Sequence, residues 1–162
     1  MTRRDIDAET TARDPAPALD LEAQLCFAVY RAGHAFNRLY RSALAELGLT
    51  YPQYLVMLAL REHDALPMKA LCEQLMLDSG TLTPVLKRLE AAGLVRRERS
   101  REDERQVGLR LTSAGAALRV RAACVPDGMA RAVALSPGET GRLIDDLTRL
   151  RRALLAAAGA GG

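Results

Sequence analysis

The stretch LDSGTLTPVLKRLEAAG, residues 77–93, is marked as a helix at both ends. Asp78 or Ser79 supplies the N-cap, since either side chain can accept from the free N–H groups of a first turn, and Gly93 stops the helix. Leu82, Val85 or Leu86, and Leu89 share one face and read as core, while Ser79, Thr81, Thr83, Lys87 and Arg88 face outward. Pro84 lies near the first turn, where a missing N–H costs least. Upstream, Pro67 opens a short helix with Leu71 and Leu75 inward. The tight turn around Met76 to Asp78 joins the two into a helix-turn-helix.

Downstream, Leu94 to Arg99 and Gln106 to Leu111 read as strands around the charged tip SREDER, residues 100–105. A β-hairpin directly after an outward-facing helix is the arrangement called a wing. Thr112 caps a further helix (SAGAALRVRAA), interrupted near Pro126. Ser136-Pro137-Gly138-Glu139 is a capping box opening a last helix, with an apolar stripe at 143, 147, 150 and 154. On the N-terminal side, apolar residues at 21, 25, 28, 32, 36, 39, 43 and 47 form one stripe of a long amphipathic helix, closed by Gly48. A second helix starts near Pro52 and runs through YLVMLALREH. These stripes read as core packing. The predicted order is α-α-α-α-β-β-α-α: mainly α with a small β-hairpin, a winged helix-turn-helix with extra helices at both ends.

At 162 residues with 49% apolar content the chain can bury one core of ordinary size. Residues 1–17 are polar and aperiodic and read as a disordered arm; 158–162 read as a flexible tail; 18–157 form one domain. The longest apolar run, Tyr54 to Leu60, is far short of the about 20 residues of a membrane helix. MTRRDIDAET lacks the apolar stretch of a secretory signal, so a cytoplasmic location is expected. The three cysteines make no CxxC pair, and with only His34 and His63 no zinc spacing arises. GxGxxG, GxxxxGK[ST] and GxSxG are absent, so no metal or cofactor is expected. The formal net charge of +3 is concentrated between Lys87 and Arg110, where eight basic residues meet five acids. Such a run marks a solvated face or the footprint of a nucleic-acid binder.

The stretches LEAQLCFAVY, GLTYPQYLVMLAL, LMLDSGTLTPVLKRLEAAGLV and REDERQVGLRLTSAG resemble the MarR family of dimeric repressors, and within it the organic-hydroperoxide-sensing, OhrR-type branch. The resemblance covers roughly residues 20–155. It implies a DNA-binding lobe over about 52–112 and dimerisation helices over about 18–48 and 112–157. It also implies a homodimer whose two recognition helices enter adjacent major grooves of a palindromic operator in double-stranded DNA. Ser79, Thr81, Thr83, Lys87, Arg88 and Arg97 then belong to the DNA face. By the same resemblance Arg105 enters the minor groove, positioned by Asp103.

Cys26 lies near the start of the first long helix, just off its stripe, where a small buried hydrophobe is the default reading. Tyr40 is 14 residues further on, about 21 Å along one straight helix, so the two cannot meet within it. The resemblance implies that they meet between subunits, with Tyr40 and Tyr51 of one protomer holding Cys26 of the other. Phenolic hydrogen bonds favour the thiolate, the species that attacks a peroxide O–O bond to give a sulfenic acid. Tyr30 would line the peroxide pocket with Phe27 and Phe36, for which core packing is the competing role. Cys124 is the candidate second thiol. It precedes Val125-Pro126, whereas two-cysteine members of the branch carry theirs after that pair, so one-cysteine chemistry with a low-molecular-weight thiol is favoured. Cys72 reads as core. The expected function is a repressor that releases its operator on oxidation of Cys26. Competing readings are a repressor released by a small lipophilic or phenolic ligand, and a thiol peroxidase, which would leave the basic hairpin without a role.

Overall fold

A computed structural model of the chain describes residues 20–99 and 107–159. The chain divides after Arg38 into two compact units. The first holds a 3₁₀ turn, Leu21–Ala23, and most of helix α1, Leu25–Ala43. The single helix expected from Leu21 to Gly48 is therefore three pieces. The Asp20 carboxylate accepts from the Glu22 N–H at 3.1 Å and starts a separate turn, which Gln24 ends in extended backbone. After α1 a second 3₁₀ turn, Ala45–Leu47, runs into Gly48 at φ 65°, the left-handed cap the sequence placed there.

The second unit carries the core. Helix α2 (Tyr51–Ala59) starts at a capping box, with Thr50 N–H donating to Gln53 Oε1 at 2.8 Å, and Pro52 in its first turn. Helices α3 (Met68–Leu75) and α4 (Ser79–Ala91) form the helix-turn-helix. Leu71 on α3 meets Leu82, Leu86 and Leu89 on α4 in a core shared with Leu44, Val56, Met57, Leu60, Leu109 and Leu111.

Strands β2 (Val95–Arg99) and β3 (Val107–Leu111) pair antiparallel, Val95 opposite Leu111 and Arg99 opposite Val107. Pro67 stands where expected, as the N-cap of α3, but it has a second role. With Leu66 it forms a short strand, β1, on the free edge of β3, so the sheet has three strands in the order β1-β3-β2. An edge place suits a residue with no N–H to give to a ladder.

Thr112 caps α5 (Ser113–Arg121) by accepting from the Gly115 N–H at 3.0 Å, and donates its own hydroxyl to the Gly93 carbonyl at 2.6 Å. Gly115 packs against the Leu94 carbonyl so closely that a Cβ there would collide with it. A 3₁₀ turn, Ala122–Cys124, then leads into α6 (Val125–Val133) with Pro126 in its first turn. Helix α7 (Pro137–Gly159) begins at the Ser136–Glu139 capping box, with the Ser136 N–H donating to Glu139 Oε2 at 2.9 Å.

The reading of the terminal stripes as core is corrected. In the single chain Leu25, Phe36, Leu143, Leu147 and Leu154 are exposed; only residues such as Leu39 and Leu47 pack against the core. The arm, the wing tip and the last residues of the tail lie outside the described residues.

Candidate functional site

Helix α4 carries the side chains that the sequence reading assigned to a DNA face. Its N-cap is Asp78, which settles the alternative between Asp78 and Ser79: the carboxylate accepts from the Thr81 N–H at 2.8 Å and from the Thr81 hydroxyl at 2.7 Å. These bonds, the hydroxyl's first, hold the Asp78 carboxyl below its ordinary range. Ser79 is thus the first helical residue, exposed and free of the capping duty. Thr83 is half-buried and donates its hydroxyl to the Ser79 carbonyl at 2.6 Å, so only its oxygen lone pairs remain for a ligand. Lys87 and Arg88 are exposed about two turns further along. The helix therefore offers hydroxyls at its start and cations at its end.

Arg97, on β2, is ion-paired through Nε to Glu90 on α4 at 2.7 Å, which ties the wing to the recognition helix. Sequence reasoning left Glu90 out. Within the hairpin Arg96 stands opposite Arg110, and Glu98 lies between them, paired to Arg110 and 3.8 Å from Arg96. The carboxylate offsets what would otherwise be a like-charge cross-strand pair. Asp103 and Arg105 lie outside the described residues.

In the first unit Cys26 sits in the opening turn of α1 and is exposed, not buried as its default reading would have it. One turn on, Tyr30 is also exposed, its ring 6.2 Å from Phe27 and 4.3 Å from His34. The Arg31 guanidinium lies 5.5 Å above the Phe27 ring while pairing with Glu22 at 2.7 Å. This aromatic row flanks the thiol.

In the second unit Tyr40 and Tyr51 come together, ring centroids 4.3 Å apart. A third ring that sequence reasoning missed, Tyr54, lies 5.9 Å from Tyr40 and is only 2% exposed. Its position three residues after Tyr51, on the same face of a helix, was the available signal. Burial, with Tyr51 and Tyr54 beside it, pushes the Tyr40 phenol above its ordinary value. A phenol so shifted stays protonated, and a protonated phenol is a hydrogen-bond donor. Burial likewise raises Tyr54, helped by Tyr51 and by the nearby Cys124 thiol. Cys124 is exposed and donates to the Arg121 carbonyl at 3.4 Å. Cys72 is half-buried and packs against the core. No cluster of metal-ligating side chains occurs among the described residues.

Comparison with known proteins bears on this surface. The MarR family model matches residues 49–107, from the approach to α2 to the start of β3. The HTH-type transcriptional regulator TtmR of Methylorubrum extorquens (strain PA1) is 48% identical over 157 residues, covering 97% of this chain and 79% of that protein. The organic hydroperoxide resistance transcriptional regulator of Bacillus subtilis (strain 168) is 46% identical over 136 residues, covering 84% and 88%. Among solved structures, reduced AbfR bound to DNA superposes with a TM-score of 0.66 at 36% identity, covering 83% of this chain and 94% of that one. An overoxidized form of AbfR bound to DNA superposes with a TM-score of 0.64. The curated relatives are regulators of transcription, not enzymes, and their likeness extends well beyond the matched core on both sides. The chain belongs to the MarR family and is a DNA-binding transcriptional regulator of that type.

Proposed function

We propose that the protein is a homodimeric repressor that senses organic hydroperoxides through Cys26 and then releases a palindromic operator. The carrying observation is the division of labour between the units: an exposed thiol in one, and a packed pair of phenols, Tyr40 and Tyr51, in the other. A thiol exposed in its own chain is available to phenols supplied by a second copy, and phenols packed against each other are held ready to donate to one acceptor. The 46% identity to a hydroperoxide resistance regulator supports the same reading. So do the exposed apolar stripes of α1 and α7, which offer each protomer a face for its mate.

In this account the Cys26 thiolate attacks the terminal peroxide oxygen, the O–O bond breaks and the alkoxide leaves as the alcohol, and the sulfenic acid formed loses its fit to the tyrosine pair. A low-molecular-weight thiol then attacks that sulfur, forming a mixed disulfide as the S–O bond breaks and water leaves. Tyr30 borders the path of the peroxide. At the other end, Ser79, Thr81 and Thr83 approach bases or phosphates from the helix start. Lys87, Arg88 and Arg97 hold the backbone, and Arg105, positioned by Asp103, reaches into the minor groove. The regulator acts in the cytoplasm; no described helix is long and apolar enough to cross a membrane.

The test is operator binding by fluorescence anisotropy at fixed salt, with cumene hydroperoxide titrated into reduced protein. At stoichiometric peroxide wild type should release DNA and Cys26→Ser should not. Equal release by both would overturn the thiol as sensor. The second reading is release by a small lipophilic or phenolic ligand with a structural Cys26, for which an open depression of about 460 Å³ bordered by Arg61, His63, Arg119 and Val120 offers a place. That reading predicts release of both proteins by such a ligand without any oxidant.

A further inference from the structure

Helix α7 reaches the turn of the helix-turn-helix at one point. Arg151 Nη1 donates to the sulfur of Met76 at 2.9 Å. Met76 is the C-cap of α3, with φ 54° and ψ 41°; Ala134 is the other non-glycine residue in the left-handed region among those described. Two residues later Asp78 opens α4, so the Met76 side chain hangs from the link between the two helices of the motif. It is 52% exposed, against 1% for Met57 and 5% for Met129. A thioether sulfur has two lone pairs; the guanidinium engages one and leaves the other for a reagent arriving from solvent.

We propose that Met76 is a second oxidation site, converted to the sulfoxide by an alkyl hydroperoxide held at Arg151. The free sulfur lone pair attacks the terminal oxygen of ROOH. The S–O bond forms as the O–O bond breaks, and the bonding pair leaves with the alkoxide. The proton on the transferred oxygen passes to that alkoxide, giving ROH and the neutral sulfoxide. Sulfur loses two electrons and the peroxide gains them. Arg151 stays protonated throughout. Its N–H groups donate first to the departing oxygen and then to the sulfoxide oxygen, a stronger acceptor than the thioether it replaces. The change turns an apolar side chain polar at a left-handed position two residues before the recognition helix. It binds the turn more tightly to α7, and operator affinity falls. The oxidant class comes from the function proposed above, while the site chemistry is independent of Cys26.

The experiment uses full-length Cys26→Ser protein treated with a large excess of cumene hydroperoxide, beyond the stoichiometric amount that tests Cys26, followed by peptide mass mapping and operator titration on the same samples. Met76 should gain one oxygen ahead of Met68, Met57 and Met129, and Arg151→Ala should slow that gain about tenfold, the value of one charge-assisted hydrogen bond in the transition state. Arg151→Lys, which keeps a charged donor, should restore most of the rate. Operator Kd should rise in step with the oxidised fraction, recover with methionine sulfoxide reductase, and stay constant in Cys26→Ser/Met76→Leu. An unchanged Met76 rate in Arg151→Ala, or full operator affinity with Met76 fully oxidised, would overturn the proposal. Failure of the thiol reading would appear separately, as equal peroxide responses of wild type and Cys26→Ser.

Discussion

The DNA-reading lobe and the terminal helices are built from similar proportions of apolar residue, yet they use them in opposite ways. Between Leu44 and Met129 most large apolar side chains close on one another, Leu58, Met76 and Val120 being exposed, and Leu71, Leu82, Leu86 and Leu89 are fully covered. On α1 and α7 the stripes point outward, with Leu25 and Leu154 both 62% exposed. The lobe is self-sufficient; the terminal helices carry an apolar face whose burial needs a second surface. Periodicity reports that a face is apolar. It does not report which molecule covers it.

Substitutions can separate the two cases. Leu86→Ala should cost about 2–5 kcal/mol in urea unfolding, because the cavity lies inside a closed core. A loss well under 1 kcal/mol would erase the distinction. Leu147→Asp with Leu154→Asp should leave the lobe folded by circular dichroism yet yield monomers in sedimentation. Operator affinity should then drop roughly 10²-fold as one half-site contact replaces two. If the variant stays dimeric, α7 is not the interface. Thr112→Ala removes both the cap of α5 and its bond to the Gly93 carbonyl, and should cost about 1 kcal/mol in the same unfolding assay.

The smallest effect is a pH dependence placed at two helix starts. The Thr81 hydroxyl and N–H hold Asp78 below the ordinary carboxylate range, and the Ser136 hydroxyl and N–H do the same for Glu139. Because the folded values lie below the unfolded ones, this stability is complete above the unfolded range and is lost as pH falls through the folded values. Thermal melts at falling pH should lose part of their acid sensitivity in Asp78→Asn. An unchanged profile would remove the cap from the account of acid stability.

Most of the lobe was legible because its boundaries are written in local chemistry. Thr50, Asp78, Thr112 and Ser136 each start a helix with their own side chains or as part of a capping box, and Gly48 and Gly93 end segments in left-handed backbone. What escaped was non-local. Strand β1 is two residues long, and its pairing arises from the free edge of β3, 41 residues away at Pro67–Gly108. The 3₁₀ turns Ala45–Leu47 and Ala122–Cys124 carry no breaker residue within them and follow from how Leu44 and Ala122 are pulled into the core. At the thiol site, Cys26, Tyr40 and Tyr51 were singled out by the family resemblance, not by composition. The packing of the tyrosines into a triad with Tyr54 needed the fold.

The root of the wing is held where Gly115 lies against the Leu94 carbonyl, and the joint is closed on neighbouring residues. Thr112 N–H donates to Leu94 O and Leu111 N–H to Arg61 O, each at 3.0 Å. With no slack between hairpin and helix, a tilt of α5 cannot be absorbed at its base and is passed to strands β2 and β3. A rotation of a few degrees there displaces the far end of the hairpin by the lever arm of two five-residue strands. The two strands and α5 thus share one joint, and a change at either is felt at the other.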